Sequence, residues 1–411
     1  MHERDMMMGG AQRISRLVSG GALAALLVGC TGTIGGESAV IPPPPLTAPI
    51  TQPPPRDQAD LQILFWNDAQ RSKRFRAMEQ WFAGHEVPAA RTPRILPKGA
   101  PLSAALQADL KALMKDTNAA GIMVLVDGQV RYESYALGLG PKDRWTSFSV
   151  AKSFTSTLLG AAIKDGFIAS LDDPVTQYIP DLAGSAYEGV SVRQLATMTS
   201  GVAWNENYTD PNSDVAQMAR FVIDHGPDAV VAQMKALPRE APAGEKWVYK
   251  TGETNLIGVL VENAVGMPLA EYARAKIVEP AGFAGGMFWM VDPRGGNIGG
   301  CCLSLRLSDY ARMGQFALEA GKDTVPEGWF AEAGKPQVDF GSDAPGFGYG
   351  YQWWTYPGGN YGAQGIFGQA ITLVPDKKLV MAVVSNWPTA TSSEARSQAR
   401  AVAAKIAESL E

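Results

Sequence analysis

A serine and a lysine three residues apart could support nucleophilic catalysis in this chain. Ser149 and Lys152 lie where the polar stretch 143–147 gives way to an apolar helix predicted over 150–164. Residues three apart share one helix face, so the hydroxyl and the amine can meet. A lysine in a dry pocket can lose its proton and act as a base toward serine, and a helix N-terminus stabilises developing negative charge. The Ser-x-x-Lys pattern alone is weak, because about one match is expected by chance in a chain of this length.

Chemistry based on histidine is disfavoured by composition. The chain has 3 histidines, and His2 lies in the region that precedes the fold. His85 lies in an N-terminal segment and His225 at a predicted helix end, and both read as surface residues. The sequence contains no Gly-x-Ser-x-Gly elbow. A Ser-His-Asp triad and a catalytic zinc site are therefore disfavoured, and the sequence implies neither a metal nor a cofactor.

Length and charge are those of an ordinary globular enzyme. The chain has 411 residues, of which 46% are hydrophobic and 19% charged, with a formal net charge of -5. That length allows a core deep enough to hold a desolvated site. The mild negative charge, without a basic stripe, argues against a nucleic-acid partner.

The first 30 residues predict a lipoprotein signal peptide. Two arginines precede an apolar run over 17–28, which is too short to span a bilayer. The run ends in Leu-Val-Gly-Cys, the pattern of a bacterial lipobox, which would make Cys30 the lipid-modified first residue. Cleavage by a general signal peptidase is the alternative. Because Thr31 rather than aspartate follows, resemblance to other lipoproteins predicts a periplasm-facing protein anchored in the outer membrane.

The rest of the chain divides into three predicted parts: a proline-rich linker over 31–60, an N-terminal accessory segment over 61–101 and one main domain over 102–411. Helical apolar spacing over 61–82 suggests that the accessory segment packs on the main domain. Adjacent cysteines rarely form a disulfide, so Cys301 and Cys302 are predicted to be two small buried side chains.

The main domain predicts an α+β fold, with strands near both ends and a helical region between them. An antiparallel sheet is flanked by the terminal helices, and an all-helical region is inserted. Asp127-Gly128 predicts a tight hairpin turn. The predicted helices span 102–114, 150–164, 192–198, 215–225, 253–265, 269–277 and 393–410, and the predicted strands 122–126, 130–135, 349–356, 369–374 and 379–385.

Five segments together resemble the serine β-lactamase, DD-peptidase and esterase superfamily, in its class C-like form. They are 145–153 (Trp-Thr-Ser-Phe-Ser-Val-Ala-Lys-Ser), 171–174 (Leu-Asp-Asp-Pro), 194–201 (Gln-Leu-Ala-Thr-Met-Thr-Ser-Gly), 247–249 (Trp-Val-Tyr) and 365–369 (Gly-Ile-Phe-Gly-Gln). Within the superfamily the likeness is closest to the 6-aminohexanoate-dimer, or nylon-oligomer, hydrolase branch, on the segment 206–211 and Gly368-Gln369. The resemblance covers roughly 102–410.

The resemblance implies roles for individual residues. Ser149 would be acylated, Lys152 would take its proton, and Tyr249 would handle protons for the leaving group. The alternative for Tyr249 is a core aromatic before a helix. Backbone N–H groups of Ser149 and Ile366 would form the oxyanion hole.

Two positions are implied to contact the substrate. Tyr208, in the polar loop 205–213, would contact the scissile amide, although a loop tyrosine with no catalytic part fits the sequence equally well. Gly365 would let the substrate approach the late strand closely. In Trp353-Trp354, alternation across the sheet predicts one ring in the core and one near the cleft, in an order that the sequence leaves open.

The sequence also departs from the superfamily at two sites. β-Lactamases and DD-peptidases usually carry a Tyr-x-Asn motif, and this chain has Thr251 in place of the asparagine. They also usually carry Lys-Thr-Gly on the late strand, where residues 363–365 of this chain are Ala-Gln-Gly. Loss of that lysine removes a charge-assisted contact to the carboxylate of a β-lactam or peptide. This departure disfavours efficient penicillin hydrolysis and favours an esterase or linear-amide hydrolase.

Three functions are therefore weighed. The leading one is hydrolysis of a small linear amide or ester through an acyl-enzyme at Ser149. The alternatives are a β-lactamase or DD-peptidase acting on cell-wall-type substrates, and a non-catalytic lipid-anchored binding protein. A non-catalytic binding protein would be expected to have lost at least one catalytic residue. Ser149, Lys152 and Tyr249 are all present. The sequence does not define the oligomeric state.

Overall fold

The computed structural model of the protein describes residues 50–218, 229–293 and 295–410. The predicted signal peptide, Cys30 and most of the linker over 31–60 lie outside these ranges. The lipid anchor and the envelope location therefore stay predictions. Most of the helix predicted over 215–225, with His225, lies outside the described residues as well.

The strands of the described residues form two antiparallel sheets. A four-stranded sheet has the order β1-β5-β6-β4, and an eight-stranded sheet has the order β3-β2-β12-β11-β10-β9-β8-β7. The strands are β1 (Gly84–Val87), β2 (Ala119–Val126), β3 (Gln129–Tyr135), β4 (Arg144–Thr146), β5 (Met287–Met290), β6 (Leu303–Arg306), β7 (Val338–Asp339), β8 (Gly348–Tyr349), β9 (Trp354–Tyr356), β10 (Asn360–Gly365), β11 (Gln369–Val374) and β12 (Leu379–Ser385).

The helices of the described residues are concentrated between β4 and β5 and at the two ends of the domain. They are α1 (Gln58–Leu61), α2 (Asp68–Arg74), α3 (Ala104–Asp116), α4 (Ala151–Lys164), α5 (Val192–Ala196), α6 (Ala229–Ala236), α7 (Thr251–Val265), α8 (Leu269–Ala273), α9 (Glu279–Ala281), α10 (Leu307–Leu318), α11 (Trp329–Ala333) and α12 (Ser393–Glu408). Among them no single helix is long and apolar enough to cross a membrane. Two consecutive helical segments, Thr251–Val265 and Leu269–Ala281, are together long and apolar enough for a membrane span, but they are bent by 80° relative to each other.

Local sequence explains two tight connections of the larger sheet. Asp127 and Gly128 adopt φ angles of 50° and 74° between β2 and β3, as a hairpin turn requires. Lys378, with φ 47°, ends the turn that joins β11 to β12. The hairpin predicted at Asp127-Gly128 is confirmed. The first and last strands of the main domain, β2 and β12, pair directly, with Val124 opposite Met381.

The larger sheet carries a layer of helices on each face, so the predicted α+β plan is confirmed. The terminal helices α3 and α12 cover one face. They bury Leu106, Leu110, Leu113, Val402 and Ile406 against side chains of β2 and β12. On the other face α10 approaches the sheet so closely that a Cβ on Gly314 would lie 2.5 Å from Val380. This packing fixes α10 against β11 and β12.

The smaller sheet joins the accessory segment to the helical region, and it was not predicted from sequence. Its outer strand β1 belongs to residues 61–101 and pairs with β5 along its whole length. The segment 61–82, for which helical apolar spacing was noted, forms short helices, and Asn67 forms a capping box with Gln70 that starts α2 within it. The expected packing on the main domain is present, since Phe75 and Met78 are fully buried in its core.

Two predicted elements near the cleft are corrected. The strand predicted over 349–356 is two short strands, because Gln352 leaves the sheet with φ 61° and its side chain donates to the carbonyls of Leu195 and Ala196. Ile366, whose backbone N–H is expected to form part of the oxyanion hole, does not lie within a strand. It lies instead in the turn Ile366–Gly368 between β10 and β11, where Phe367 has φ 57°.

The prediction for the two adjacent cysteines is wrong as well. Cys301 and Cys302 are joined by a disulfide, whereas two free thiols were predicted. Cys302 is buried and Cys301 partly exposed. They follow Gly300, whose carbonyl faces the catalytic lysine candidate.

A buried arginine ties the accessory segment to the domain. Arg71 donates from Nε to Asn386 Oδ1 at 2.7 Å and from Nη1 to the Trp66 carbonyl at 2.7 Å, and its guanidinium lies 4.9 Å from the centre of the Phe367 ring. Charged hydrogen bonds of this kind contribute strongly when buried.

We therefore expect Arg71→Ala to lower the free energy of unfolding by about 3 kcal/mol, because it leaves buried acceptors unpaired. Chemical denaturation measures this change. The matched control is Arg91→Ala, whose side chain is 78% exposed in a surface ion pair, and which should change stability by less than about 0.5 kcal/mol. Equal effects of the two substitutions would contradict the anchoring role of Arg71.

Candidate active site

Ser149 lies at the junction between the smaller sheet and α4. It occupies the short helical turn Phe148–Val150, which leads directly into α4. Its side chain is partly exposed to the cleft, while Phe148 and Val150 on either side are buried. Phe148 has φ 43°, which turns the chain sharply before the serine. The hydroxyl is thus presented at a helix start, where free N–H groups favour negative charge.

Lys152 is the second residue of α4 and lies about one turn after Ser149. Its Nζ is 3.2 Å from Ser149 Oγ, and it donates to Thr251 Oγ1 at 2.9 Å and to the Gly300 carbonyl at 2.8 Å. The side chain is 1% exposed. Burial lowers the pKa of Lys152 to about 8, and the carboxylate of Glu206 opposes this shift. A substantial fraction of the amine is therefore neutral near pH 8 and able to accept a proton.

Tyr249 closes the opposite side of Ser149. Its ring centre lies 5.2 Å from Lys152 Nζ, and the interaction of its hydroxyl with the Ser149 side chain partly offsets the rise of its pKa. Its ring stacks on Trp354 with centroids 5.5 Å apart. Burial, followed by the nearby Glu206, raises the pKa of Tyr249. The phenol thus keeps its proton at neutral pH and can donate it.

Gly365 and Ile366 bring the C-terminal end of β10 against Ser149. A Cβ on Gly365 would lie 2.5 Å from the Ser147 carbonyl and 3.1 Å from the Ser149 nitrogen, so a side chain could not fit there without displacement. Gly365, Ile366 and Ser149 line one cavity. The two backbone groups predicted for the oxyanion hole therefore share a wall of the cleft.

Glu206 is a charged residue of the candidate site that was not identified from the sequence. Its carboxylate accepts from Tyr208 OH at 2.9 Å, from the Thr251 backbone N–H at 2.9 Å, and from Thr251 Oγ1 and Trp204 Nε1. Since Thr251 Oγ1 also accepts from Lys152, a continuous hydrogen-bonded chain runs from Ser149 to Glu206. One feature of the sequence could have indicated Glu206. Thr251 replaces the usual asparagine, and its hydroxyl needs a different polar partner.

The cavity in front of Ser149 has a volume of about 480 Å³ and largely aromatic walls. Trp354 lines it, whereas Trp353 is fully buried, so the predicted alternation of this pair is confirmed and its order resolved. The aromatic residues of the wall are Tyr208, Tyr249, Phe340, Phe347, Trp354 and Tyr356.

The described part of the chain thus brings together six of the seven predicted site residues. Ser149, Tyr249, Tyr208, Gly365 and Ile366 line the cavity, and Lys152 lies beneath it. Cys30, predicted to be lipidated, is outside the described residues. Among the described residues, no group of three or more His, Cys, Asp and Glu side chains could hold a metal ion.

Comparison with known proteins identifies the family. The family model described as Beta-lactamase matches residues 106–297 and 303–405. This chain belongs to the β-lactamase family. Within the family it is 30% identical over 298 residues to a 6-aminohexanoate-dimer hydrolase from Paenarthrobacter ureafaciens, across 68% of this chain and 76% of that protein. It is 27% identical over 184 residues to a β-lactamase from Pseudomonas fluorescens, across 42% of this chain and 47% of that protein.

Solved structures of the β-lactamase family share the fold. A Bacillus anthracis protein assigned as a 6-aminohexanoate-dimer hydrolase aligns with a TM-score of 0.74 at 22% identity, covering 84% of this chain and 95% of that one. A class C β-lactamase in complex with cefoxitin aligns with a TM-score of 0.57 at 19% identity, covering 74% and 98%. The superfamily predicted from the motifs is confirmed, and the chain is a hydrolase of the serine β-lactamase type.

The electrostatics of this site predict a pH dependence that Glu206 controls. Since only the neutral amine of Lys152 accepts a proton, kcat/KM should rise with pH through an acid limb near pH 8. The Glu206 carboxylate raises the pKa of Lys152, so Glu206→Gln should move that limb to lower pH. A pH profile of kcat/KM for p-nitrophenyl acetate measures the shift.

The matched control is Glu240→Gln, which removes a carboxylate paired with Lys246 on the surface and should leave the limb in place. An acid limb that stays at its original pH in Glu206→Gln, or moves upward, would show that Glu206 does not act on Lys152.

Proposed function

We propose that this chain hydrolyses small linear amides or esters in two steps, through an acyl-enzyme at Ser149. The observation that carries the proposal is the buried amine of Lys152, 3.2 Å from the Ser149 hydroxyl, with a pKa lowered to about 8. A serine hydroxyl is a weak nucleophile until an adjacent base activates it. The aromatic cavity in front of it suits an aliphatic or amide chain.

In the first step, neutral Lys152 takes the proton of Ser149 while Oγ bonds to the carbonyl carbon. The carbonyl oxygen gains the negative charge, and the backbone N–H groups of Ser149 and Ile366 donate to it. Tyr249 gives its proton to the leaving nitrogen or oxygen as that bond breaks, and Lys152 returns a proton to Tyr249. Water then attacks the acyl carbon and loses a proton to Lys152, and Ser149 regains one when the acid departs.

A linear amide is favoured over a β-lactam by the wall that β10 forms. Gln364 occupies the position of the usual threonine and donates to Tyr356 OH at 2.7 Å, and Ala363 replaces the usual lysine. This stretch of strand therefore carries no cation for a β-lactam carboxylate. The 30% identity to a 6-aminohexanoate-dimer hydrolase supports the same substrate class.

Covalent labelling tests the nucleophile. A fluorophosphonate probe should modify Ser149 in the wild type, as located by mass spectrometry, and no residue in Ser149→Ala. Lys152→Ala should reduce kcat/KM for p-nitrophenyl acetate by about 10³-fold, because it removes the general base. Label on a different serine of demonstrably folded protein would overturn the assignment. Parallel turnover assays with nitrocefin and a linear 6-aminohexanoate dimer would decide between lactam and linear amide.

The role of Tyr249 predicts a dependence on the leaving group. Tyr249→Phe should lower kcat/KM by about 10²-fold or more for the linear amide, whose amine must be protonated to depart. The loss should be much smaller for p-nitrophenyl acetate, since p-nitrophenolate leaves without a proton. Tyr135→Phe, which removes a hydroxyl bound to Glu133 on β3, is the control and should affect neither substrate. Equal losses on both substrates would contradict proton donation by Tyr249.

A further inference from the structure

A buried lysine and a buried glutamate follow Tyr249 in the sequence. Lys250 and Glu253 are both fully buried, and Lys250 Nζ lies 3.7 Å from Glu253 Oε1. Neither residue lines the cavity in front of Ser149. Lys250 has the extended backbone angles φ −135° and ψ 104°, and neighbouring side chains of an extended chain point to opposite sides. The pair therefore lies within the helical region, whereas Tyr249 lines the cavity.

The hydrogen bonds of this buried pair are incomplete. Glu253 Oε1 accepts from Ser200 Oγ and, at 3.3 Å, from Tyr187 OH, whereas Oε2 is buried without a hydrogen-bond partner among the described residues. Burial raises the pKa of Glu253 and lowers that of Lys250, and the opposite charge of the partner opposes both shifts. Replacing such a pair by uncharged side chains is often neutral for stability, because two desolvated charges offset their own attraction. The pair therefore calls for a role other than stabilisation.

The ammonium group of Lys250 reaches back past Tyr249. Its Nζ donates to the Val248 carbonyl at 3.3 Å, so one side chain joins the peptide units on the two sides of Tyr249. Met198 holds the same stretch, since its carbonyl accepts from the Val248 N–H at 3.2 Å and its sulfur from the Lys250 N–H at 3.3 Å. Glu253 attracts the ammonium group from the other side. Together these contacts restrict the backbone that carries the phenol.

The general base is held by other contacts. Lys152 donates to Thr251 Oγ1 at 2.9 Å, and the Thr251 backbone N–H donates to Glu206 at 2.9 Å. Neither hydrogen bond involves the buried pair. Loss of the pair is therefore expected to displace Tyr249 while Lys152 stays in place.

We propose that Lys250 and Glu253 are positioning residues, which hold the phenol of Tyr249 where it can donate a proton to the leaving group. They act through the backbone around Tyr249 and contact neither the substrate nor the reacting atoms. This inference rests on the proposed function, because it assigns residues that support the same proton transfer. A misplacement of about 1 Å at a catalytic group can cost about 10²-fold in rate. The pair should therefore matter most for substrates whose leaving group must be protonated.

Removal of both charges tests this role without leaving one of them buried alone. The substrates are ethyl acetate and p-nitrophenyl acetate, which share an acyl group and differ in whether the leaving oxygen needs a proton. In Lys250→Met/Glu253→Gln, kcat/KM should fall about 10²-fold for ethyl acetate and less than about 5-fold for p-nitrophenyl acetate. The acid limb near pH 8 should stay in place, because Lys152 is not displaced. The midpoint of thermal unfolding should stay within about 3 °C of the wild type.

A double-mutant cycle shows whether the pair acts through the phenol. In a Tyr249→Phe background, removal of the pair should cost less than about 3-fold further on ethyl acetate, because the group that it positions is already absent. Glu253→Gln alone keeps the shape of the side chain and its two hydrogen bonds. It should change the ratio of the two kcat/KM values in the same direction as the double variant, which keeps the test open if that variant does not fold.

The matched control is Arg312→Met, which breaks another buried pair of the same spacing, that with Asp309 on α10. It should leave the ratio of the two kcat/KM values unchanged. Equal losses on both acetates, no loss on either, or full additivity with Tyr249→Phe would overturn the inference. A changed ratio in Arg312→Met would do so too, because it would assign the effect to the loss of any buried charge. Failure of Ser149 labelling in the wild type would instead count against the proposed function.

Discussion

The burial of one amine is the constraint on which the rest of the site depends. Lys152 is 1% exposed, and its Nζ contacts oxygens from the turn before α4, from the start of α7 and from the loop before β6. Desolvation of a charged amine is costly, and here it is expressed as a pKa lowered to about 8. The fold tolerates this because the surrounding helices are themselves firmly packed. Burial of the Lys152 amine therefore costs folding free energy, and the packing of the surrounding helices offsets that cost.

The loop that supplies the Gly300 carbonyl illustrates that support. Its backbone is held from two sides, since Gly300 N–H donates to Asn255 Oδ1 at 2.7 Å and Thr155 Oγ1 donates to the Gly299 carbonyl at 2.7 Å. Glycine is needed at both positions, because a Cβ on Gly299 would lie 2.7 Å from the Thr254 carbonyl and one on Gly300 2.9 Å from the Thr251 carbonyl. The polar side chains on the inner faces of α4 and α7 therefore position a carbonyl for Lys152, and do not contact substrate themselves.

Sequence reasoning succeeded where the information is local and failed where it is distant. The helix that carries Ser149 and Lys152 follows from the apolar spacing over 150–164, and the β2–β3 turn follows from Asp127-Gly128. Glu206 could not be found in this way, because its role depends on Thr251, 45 residues later. The strand break at Gln352 depends on carbonyls of α5 more than 150 residues earlier. Long-range contacts of this kind leave no periodicity in the sequence.

The positive charge beside the late strand also depends on a contact between residues distant in the sequence. From the motifs alone, the missing lysine on the late strand indicated a cleft without a cation, whereas α12 returns about 30 residues later and places Arg396 beside Gly365. The pKa of Lys152 is set by burial and by Glu206. Two guanidinium groups can therefore line the same cavity while the amine keeps a pKa suited to proton transfer, which a second lysine adjacent to Lys152 would lower further.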